Sequence, residues 1–270
     1  MRLFSFVASL ACLGGIADAA GKVEFDLVYP RDNQSYAPTP HMPIVFAVQN
    51  PRLAQHIYPY IAFRIQSLAD PSDGPGTTYN LSRQLNWANA NLTSNGPYFV
   101  YTFVNDFSKE NKWAIWWSMN WTSCEQEQDG VFHGEITTNR SSTTFISVTT
   151  KNDGQPIDLL AANDQPCNKL PAYAIDNIGD EVLQVADPSK HGMKTCVVVP
   201  AEAARLPTRD FCSVKFDAAI AANVSADLKL CGSSANCPSE PSTTNAAQRL
   251  TGAGAVCLAV AFGAFGMVLA

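Results

Sequence analysis

His41, His56, His133 and His191 are the only histidines in this 270-residue chain. Imidazole exchanges a proton readily near neutral pH and is the commonest metal ligand, so their spacing is the first test for chemistry. No two stand at i, i+4, and there is no H-E-x-x-H motif. Neither a G-x-S-x-G elbow to present a serine nucleophile nor a Gly-rich phosphate loop occurs. Each histidine therefore reads as a surface or strand residue, and no metal site or cofactor is expected. Glycoside hydrolysis is the chemistry left open, because its two carboxylates converge in space and not in sequence. Asp106 in "FVNDF" and Glu135 in "FHGEITTN" are the pair to test, the plainer reading being two strand ends near turns. Asp180 and Glu181 are adjacent and on a strand would face opposite ways. No residue is assigned a catalytic role, and the expectation is a non-enzymatic protein.

Aromatic residues offer a second kind of site. In "WAIWWSMNW", strand alternation puts Trp113, Ile115, Trp117, Met119 and Trp121 on one face, with Ala114, Trp116, Ser118 and Asn120 on the other. Asn120 opens an Asn-x-Ser/Thr sequon, and a glycan cannot point into a core. The three-tryptophan face is thus expected to be buried, leaving Trp116 toward solvent. Trp116 is a candidate glycan contact, with Tyr98 or Tyr101 as companions; alternatively it packs under a loop or beneath the Asn120 glycan.

The elements that would position these residues read as short strands. "KVEFDLVYP" alternates Val23, Phe25, Leu27 and Tyr29 against Glu24, Asp26 and Val28. "MPIVFAVQNP", "YPYIAFRIQSL", "PYFVYTFVNDF", "VFHGEITTN", "TTFISVTT", "KTCVVVP" and "FCSVKF" follow, while "ADPSDGPGTTYN" carries turn chemistry. In "DAAIAANVSADLKL", Ile220, Val224 and Leu228 recur every four residues, which suggests a short helix near 217–229. These elements predict an all-β protein, a disulfide-stabilised antiparallel β-sandwich, with an immunoglobulin-like form as one version.

Both chain ends carry targeting signals. Arg2, the apolar run Leu3–Ile16 and Ala17-Asp18-Ala19 read as a signal peptide over 1–19. At the other end, Asn245-Ala246-Ala247, a weakly polar spacer and the apolar stretch to Ala270 read as a GPI-attachment signal. Asn245 is the expected attachment site and 246–270 the discarded propeptide; the rival reading is a membrane-spanning helix. The domain would occupy 20–231, and a Ser/Thr/Pro-rich stalk 232–245. Cys124, Cys167, Cys196, Cys212, Cys231 and Cys237 remain after both cleavages, an even set suited to three disulfides in an oxidising compartment. Sequons begin at Asn33, Asn80, Asn91, Asn120, Asn139 and Asn223, more than the roughly two to three that chance would supply. The formal net charge of −6 argues against a nucleic-acid partner, which calls for a basic face.

The opening "GKVEFDLVYPRDNQSYAPTPHMPIVFAVQNPRLA", the "WAIWWSMNWTSC" strand, "GQPIDLLAAND" and "CSVKFDAAIAANVSADLKLC" together resemble a family of filamentous-fungal secreted proteins of unknown function. The resemblance spans most of Gly21–Cys231 and rests chiefly on the opening segment. It implies a fungal cell-surface glycoprotein with a GPI-type tail and implies no activity. The expected location is the outer face of the plasma membrane or the cell wall, tethered through GPI lipid. The expected role is wall organisation or adhesion, with cell-wall polysaccharide or other surface glycoproteins as partners. A carbohydrate-binding module and a wall-remodelling hydrolase or transferase are the alternatives.

Overall fold

The computed structural model describes residues 21–68, 77–85, 96–125, 129–165, 172–179, 181–200, 204–205, 214–233 and 247–249. Strands are numbered in chain order. One six-stranded sheet holds β1 (Val23–Tyr29), β3 (Met42–Gln49), β6 (Tyr98–Val104), β11 (Ala172–Ile175), β14 (Ala204–Arg205) and β15 (Ala247–Arg249). Its order is β14-β11-β1-β3-β6-β15. A second holds β2 (Gln34–Tyr36), β4 (Tyr60–Ser67), β5 (Thr77–Gln84), β7 (Asn111–Ser123), β9 (Thr137–Arg140) and β10 (Thr144–Thr150). Here the order is β2-β10-β7-β4-β5, with β9 paired to the far end of β7. A small third sheet joins β8 (Val131–Phe132), β12 (Leu183–Val185) and β13 (Thr195–Cys196). Among the described residues, α1 (Pro51–Ala54), α2 (Pro188–His191), α3 (Ala218–Ser233) and short 3-10 helices at Gln55–Ile57 and Ala161–Asp164 accompany the sheets. The protein is mostly β, its main pairings are antiparallel, and the expected short helix is present.

The two large sheets share one aromatic interior. Phe46 of β3 meets Trp117 of β7 at 5.2 Å between ring centroids and Phe63 of β4 at 5.9 Å. Trp117 also takes Tyr173 of β11 edge-on at 4.8 Å. Off-parallel contacts of this kind place the positive ring edge on the negative ring face. All four residues are buried in a single cluster that also includes Trp113 and Trp121.

Helix α3 covers part of the outward face of the first sheet. Asp217 caps it, its Oδ1 accepting the Ile220 N–H at 2.7 Å, which satisfies an otherwise orphan donor. Ile220, Val224 and Leu228 pack onto the core as their four-residue spacing requires. Tyr101 of β6 donates its hydroxyl to buried Asp227 at 2.8 Å. Phe216, just before the helix, stacks on Phe99 at 5.5 Å. The strand expected for "FCSVKF" is not formed over residues 214–216, which run as irregular chain with Val214 and Phe216 buried and Lys215 exposed. Phe99 gives Phe216 a ring partner, so the segment serves as the helix approach.

Strand β1 departs from the expected alternation. Alternation predicts Glu24, Asp26 and Val28 on a wet face, yet Asp26 is 0% exposed and Val28 1%. Gln49 Nε2 donates to Asp26 Oδ2 at 2.9 Å and to Glu24 Oε2 at 2.7 Å, while Asp26 Oδ1 has no partner. Burial pushes the Asp26 carboxyl up to about 7, against the lowering effect of the Gln49 hydrogen bond.

Cys124 and Cys196 form a disulfide with a Cα–Cα distance of 6.1 Å. It tethers the chain just past β7 to β13 inside a second apolar cluster with Phe132, Leu183, Val185 and Met193. It is not the inter-sheet bridge of an immunoglobulin domain. Cys231 is disulfide-bonded too; Cys167, Cys212 and Cys237 lie outside the described residues.

Because the folded state prefers neutral Asp26, its contribution to stability is complete below about pH 4 and disappears as pH rises through about 7. Urea unfolding of wild type at pH 5 and pH 8 should therefore differ by roughly 2–3 kcal/mol from this group. Asp26→Asn should flatten that difference. The Cys124–Cys196 bond closes a loop with a sequence separation of 72. The double change Cys124→Ser/Cys196→Ser should lower stability by on the order of 4 kcal/mol in the same measurement.

Candidate functional site: the outer face of the second sheet

Strand β7 supplies the face. Trp113, Trp117 and Trp121 are all 4% exposed or less, whereas Trp116 is only partly buried on the opposite side. The alternation expected from "WAIWWSMNW" therefore holds for the tryptophans, although Ala114 and Ser118 on the Trp116 side are buried too. Neighbouring strands then place partners in register with Trp116: Arg64 of β4 on one flank and Phe145 of β10 on the other. The Trp116 and Phe145 ring centroids lie 4.4 Å apart with planes inclined at 33°. The Arg64 guanidinium carbon lies 5.3 Å from the indole centroid, within cation–π range. Phe145 is 49% exposed and forms the open end of the row. On the other flank, Arg64 pairs in turn with Asn80 of β5.

Two residues further along β7, Ser118 accepts a long hydrogen bond of 3.4 Å from Arg140 Nη2 of β9. Asn120 follows, flanked by Tyr60 and Arg140. The face thus presents a cation–indole–phenyl row, a second guanidinium and a border of small polar side chains. Such a surface can stack on a sugar ring and hydrogen-bond its hydroxyls; among these residues it offers no nucleophile–base pair.

The companions proposed for Trp116 need correction. Tyr98 and Tyr101 are buried in β6 of the opposite sheet, where Tyr101 holds Asp227. Phe145 and Arg64 take their place. Alternation in "TTFISVTT" puts Phe145 opposite in sense to Ile146, and Arg64 interrupts "YIAFRIQS", so each outward position is readable. Which outward residues become neighbours is set by strand pairing alone.

The carboxylate pair is not assembled. Phe107, next to Asp106, packs on Trp113 at 4.8 Å, whereas Thr137, two residues past Glu135, pairs with Ser123. The intervening stretch Trp113–Ser123 is about 33 Å long at strand rise, against the ~5–10 Å separating a glycosidase pair. Glu135 is exposed and ion-paired with Lys190. That hydrogen bond holds its carboxyl below the usual carboxylate value, the opposite of what a general acid needs. Asp180 lies outside the described residues and Glu181 is exposed.

The histidines are scattered. His56 Nδ1 lies 2.9 Å from Thr195 Oγ1, with burial lowering its pKa. His133 lies 3.7 Å from Asp129, His191 ends α2, and His41 donates its backbone N–H to Thr39. Among the described residues, no group of three or more His, Cys, Asp or Glu is placed to hold a metal ion, and no helix is long and apolar enough to cross a membrane. An open cleft of 360 Å³ beside the Cys124 disulfide is lined by Ser123, Glu125, Thr137 and Asn139 together with Val198 and Val199. The Ser123 hydroxyl there is engaged with the Val199 backbone, accepting at 2.8 Å and donating at 3.1 Å.

Of the sequons, Asn33 and Asn80 are exposed and Asn120, Asn139 and Asn223 partly buried; Asn91 lies outside the described residues. The signal segment 1–19 and Asn245 also lie outside them. Helix α3 runs through Ser233, two residues into the expected stalk. Residues Ala247–Arg249, in the expected propeptide, pair in parallel with β6, so cleavage at Asn245 would make β6 an edge strand.

A family model described as Domain of unknown function (DUF7136) matches residues 18–245. The chain belongs to this family. The DUF7136 match covers both large sheets up to β14 together with α3, including every residue of the Trp116 face. Comparisons with curated proteins and with solved structures find no match.

Phe145→Ala should uncover one side of the indole and remove a stacking contact of about 0.5–1.5 kcal/mol. A double-mutant cycle of Phe145→Ala with Trp116→Ala, read by denaturant unfolding, should return a coupling energy in that range. A coupling near zero would show that the two rings do not support each other.

Proposed function

We propose that this DUF7136 protein is a secreted, GPI-anchored and N-glycosylated fungal surface protein that binds cell-wall polysaccharide without turning it over. Its role is to hold or organise wall polymers, or to support adhesion, while the lipid confines it to the outer face of the plasma membrane. The observation that carries the binding reading is the Arg64–Trp116–Phe145 row on the solvent side of a rigid sheet. An aromatic ring held upright by its neighbours stacks on a pyranose without losing further conformational freedom. The strands give the row its rigidity, since Trp113, Trp117 and Trp121 clamp β7 from beneath.

The targeting part rests on the chain ends. The family match begins at residue 18 and stops at 245, which coincides with the segment left once a signal peptide and a GPI propeptide are removed. Sequons at Asn33 and Asn80 are exposed, as glycan acceptors must be. The hydrolase alternative gains no support from Asp106 and Glu135, which lie at opposite ends of β7.

Two measurements test the proposal. Phosphatidylinositol-specific phospholipase C should release the protein from intact cells, and its C-terminal peptide should end at Asn245 by mass spectrometry. Retention of the peptide ending at Ala270 would refute the anchor. In pull-downs on insoluble glucan, chitin, mannan and uronate-containing wall fractions, at least one polymer should retain wild type. Trp116→Ala should weaken that retention at least tenfold while the protein still unfolds cooperatively, its melting temperature lowered by only a few degrees. Equal retention of both proteins would remove Trp116 from the site.

A further inference from the structure

The second sheet sorts charge in a way that the whole chain does not. Acidic residues outnumber basic ones, 24 to 18, yet none of β2, β4, β5, β7, β9 and β10 contains an Asp or Glu. Exposed cations on these strands include Arg64, Lys112 and Arg140. Alternation and register put all three on the face that carries Trp116: Lys112 precedes Ala114 and Trp116 by even steps, Arg64 pairs with Trp116, and Arg140 with Asn120. None of the three takes part in an ion pair among the described residues. Two carboxylates stand at the rim, Asp32 beside Ser147 of this face and Glu110 two residues before Lys112, and both are held by backbone N–H groups. Asp32 accepts from the Ser147 N–H and from Asn33, each at 2.8 Å, and Glu110 accepts from the Asn152 N–H at 2.7 Å.

We propose that the Arg64–Trp116–Phe145 face, with Arg140 and Lys112, is a binding site for a carboxylated polysaccharide, a polyuronate. The inference deepens the polysaccharide-binding reading above and rests on it. An exposed cation costs little where water solvates it, but three on one face of an acidic protein, with no carboxylate among them, form a positive patch that attracts an anionic chain. Guanidinium groups are suited to carboxylates because their planar fork can donate two parallel hydrogen bonds. The Arg64 guanidinium stands 5.3 Å from the indole centroid, and its exposed N–H groups are the donors offered to a ligand. Phe145 and the edge of Trp116 then meet the C–H face of the sugar ring, while half-buried Ser147 and Gln66 line the same face for its hydroxyls. The pairing of aromatic surface with hydroxyl and amide groups fits a sugar chain better than a lipid bilayer. A bilayer would call for a larger apolar surface than the exposed Phe145 and Leu68 offer. The Asn80 sequon stands beside Arg64, level with Trp116, and the Asn120 sequon beside Arg140, so the side of the row toward Phe145 is the one these two leave open.

The test uses the purified glycosylated protein and four probes: polygalacturonate, the same polymer with its carboxyls methyl-esterified, a neutral β-glucan, and vesicles containing phosphatidylserine. Polygalacturonate should bind at least tenfold more tightly than its ester, with an affinity that falls as salt is raised. Arg64→Gln/Arg140→Gln should lose at least tenfold on polygalacturonate while melting as wild type does, and Phe145→Ala should weaken binding to both polymers. Equal affinity for the acid and the ester, or binding to the β-glucan alone, would overturn the polyuronate inference and leave the polysaccharide reading standing. Binding to the vesicles and to no polysaccharide would overturn both.

Discussion

Everything in this fold depends on β7 having two usable faces. Side-chain direction alternates along its thirteen residues, so indoles of opposite environment stand one peptide apart. Trp117 sits at the meeting point of Phe46, Phe63 and Tyr173 from both sheets, and its neighbour Trp116 looks outward. A one-residue slip in register would exchange the two sets and put Asn120 and Ser118 in the core. The penalty for that exchange, several buried indoles against a few polar groups, is what makes the outer face a reproducible surface.

The first sheet solves a different problem. Its outward side is not left to solvent, because α3 and the segment before it pack there through Phe216, Ile220 and Val224. Polar groups caught underneath must find partners. Tyr101 with Asp227, and Asp26 with Gln49, show how this is done. Asp26 retains one unpaired oxygen and a raised pKa, so this region carries the protein's pH sensitivity while the second sheet carries its surface chemistry. The disulfide between Cys124 and Cys196 adds a third constraint by tying the end of β7 to the small sheet, which anchors the strand well away from the Trp116 row.

The resulting division of labour accounts for where charge accumulates. Carboxylates populate loops and the covered sheet, and the strands of the open sheet exclude them. A rigid aromatic row within a patch of cations is what remains accessible, and both proposals about polysaccharide follow from that one arrangement.

Much of the fold was legible in the chain. Period-two patterns marked β1, β3, β4, β6, β7 and β10, and the four-residue spacing of Ile220, Val224 and Leu228 marked α3, because side-chain direction in a regular element is a local property. The same rule placed Trp116 outside and Trp117 inside. Local pattern could not reveal that Asp26 is fully buried, since what covers a strand face is supplied from elsewhere in the chain. Nor could it bring Phe145 and Arg64 to Trp116 in place of Tyr98 and Tyr101, or hold Glu135 far from Asp106. Those outcomes depend on which strands pair and in what register, and pairing is a contest among distant segments for shared backbone hydrogen bonds and a shared core. The sequence by itself determined the direction each side chain faces; the tertiary structure decided what it faces.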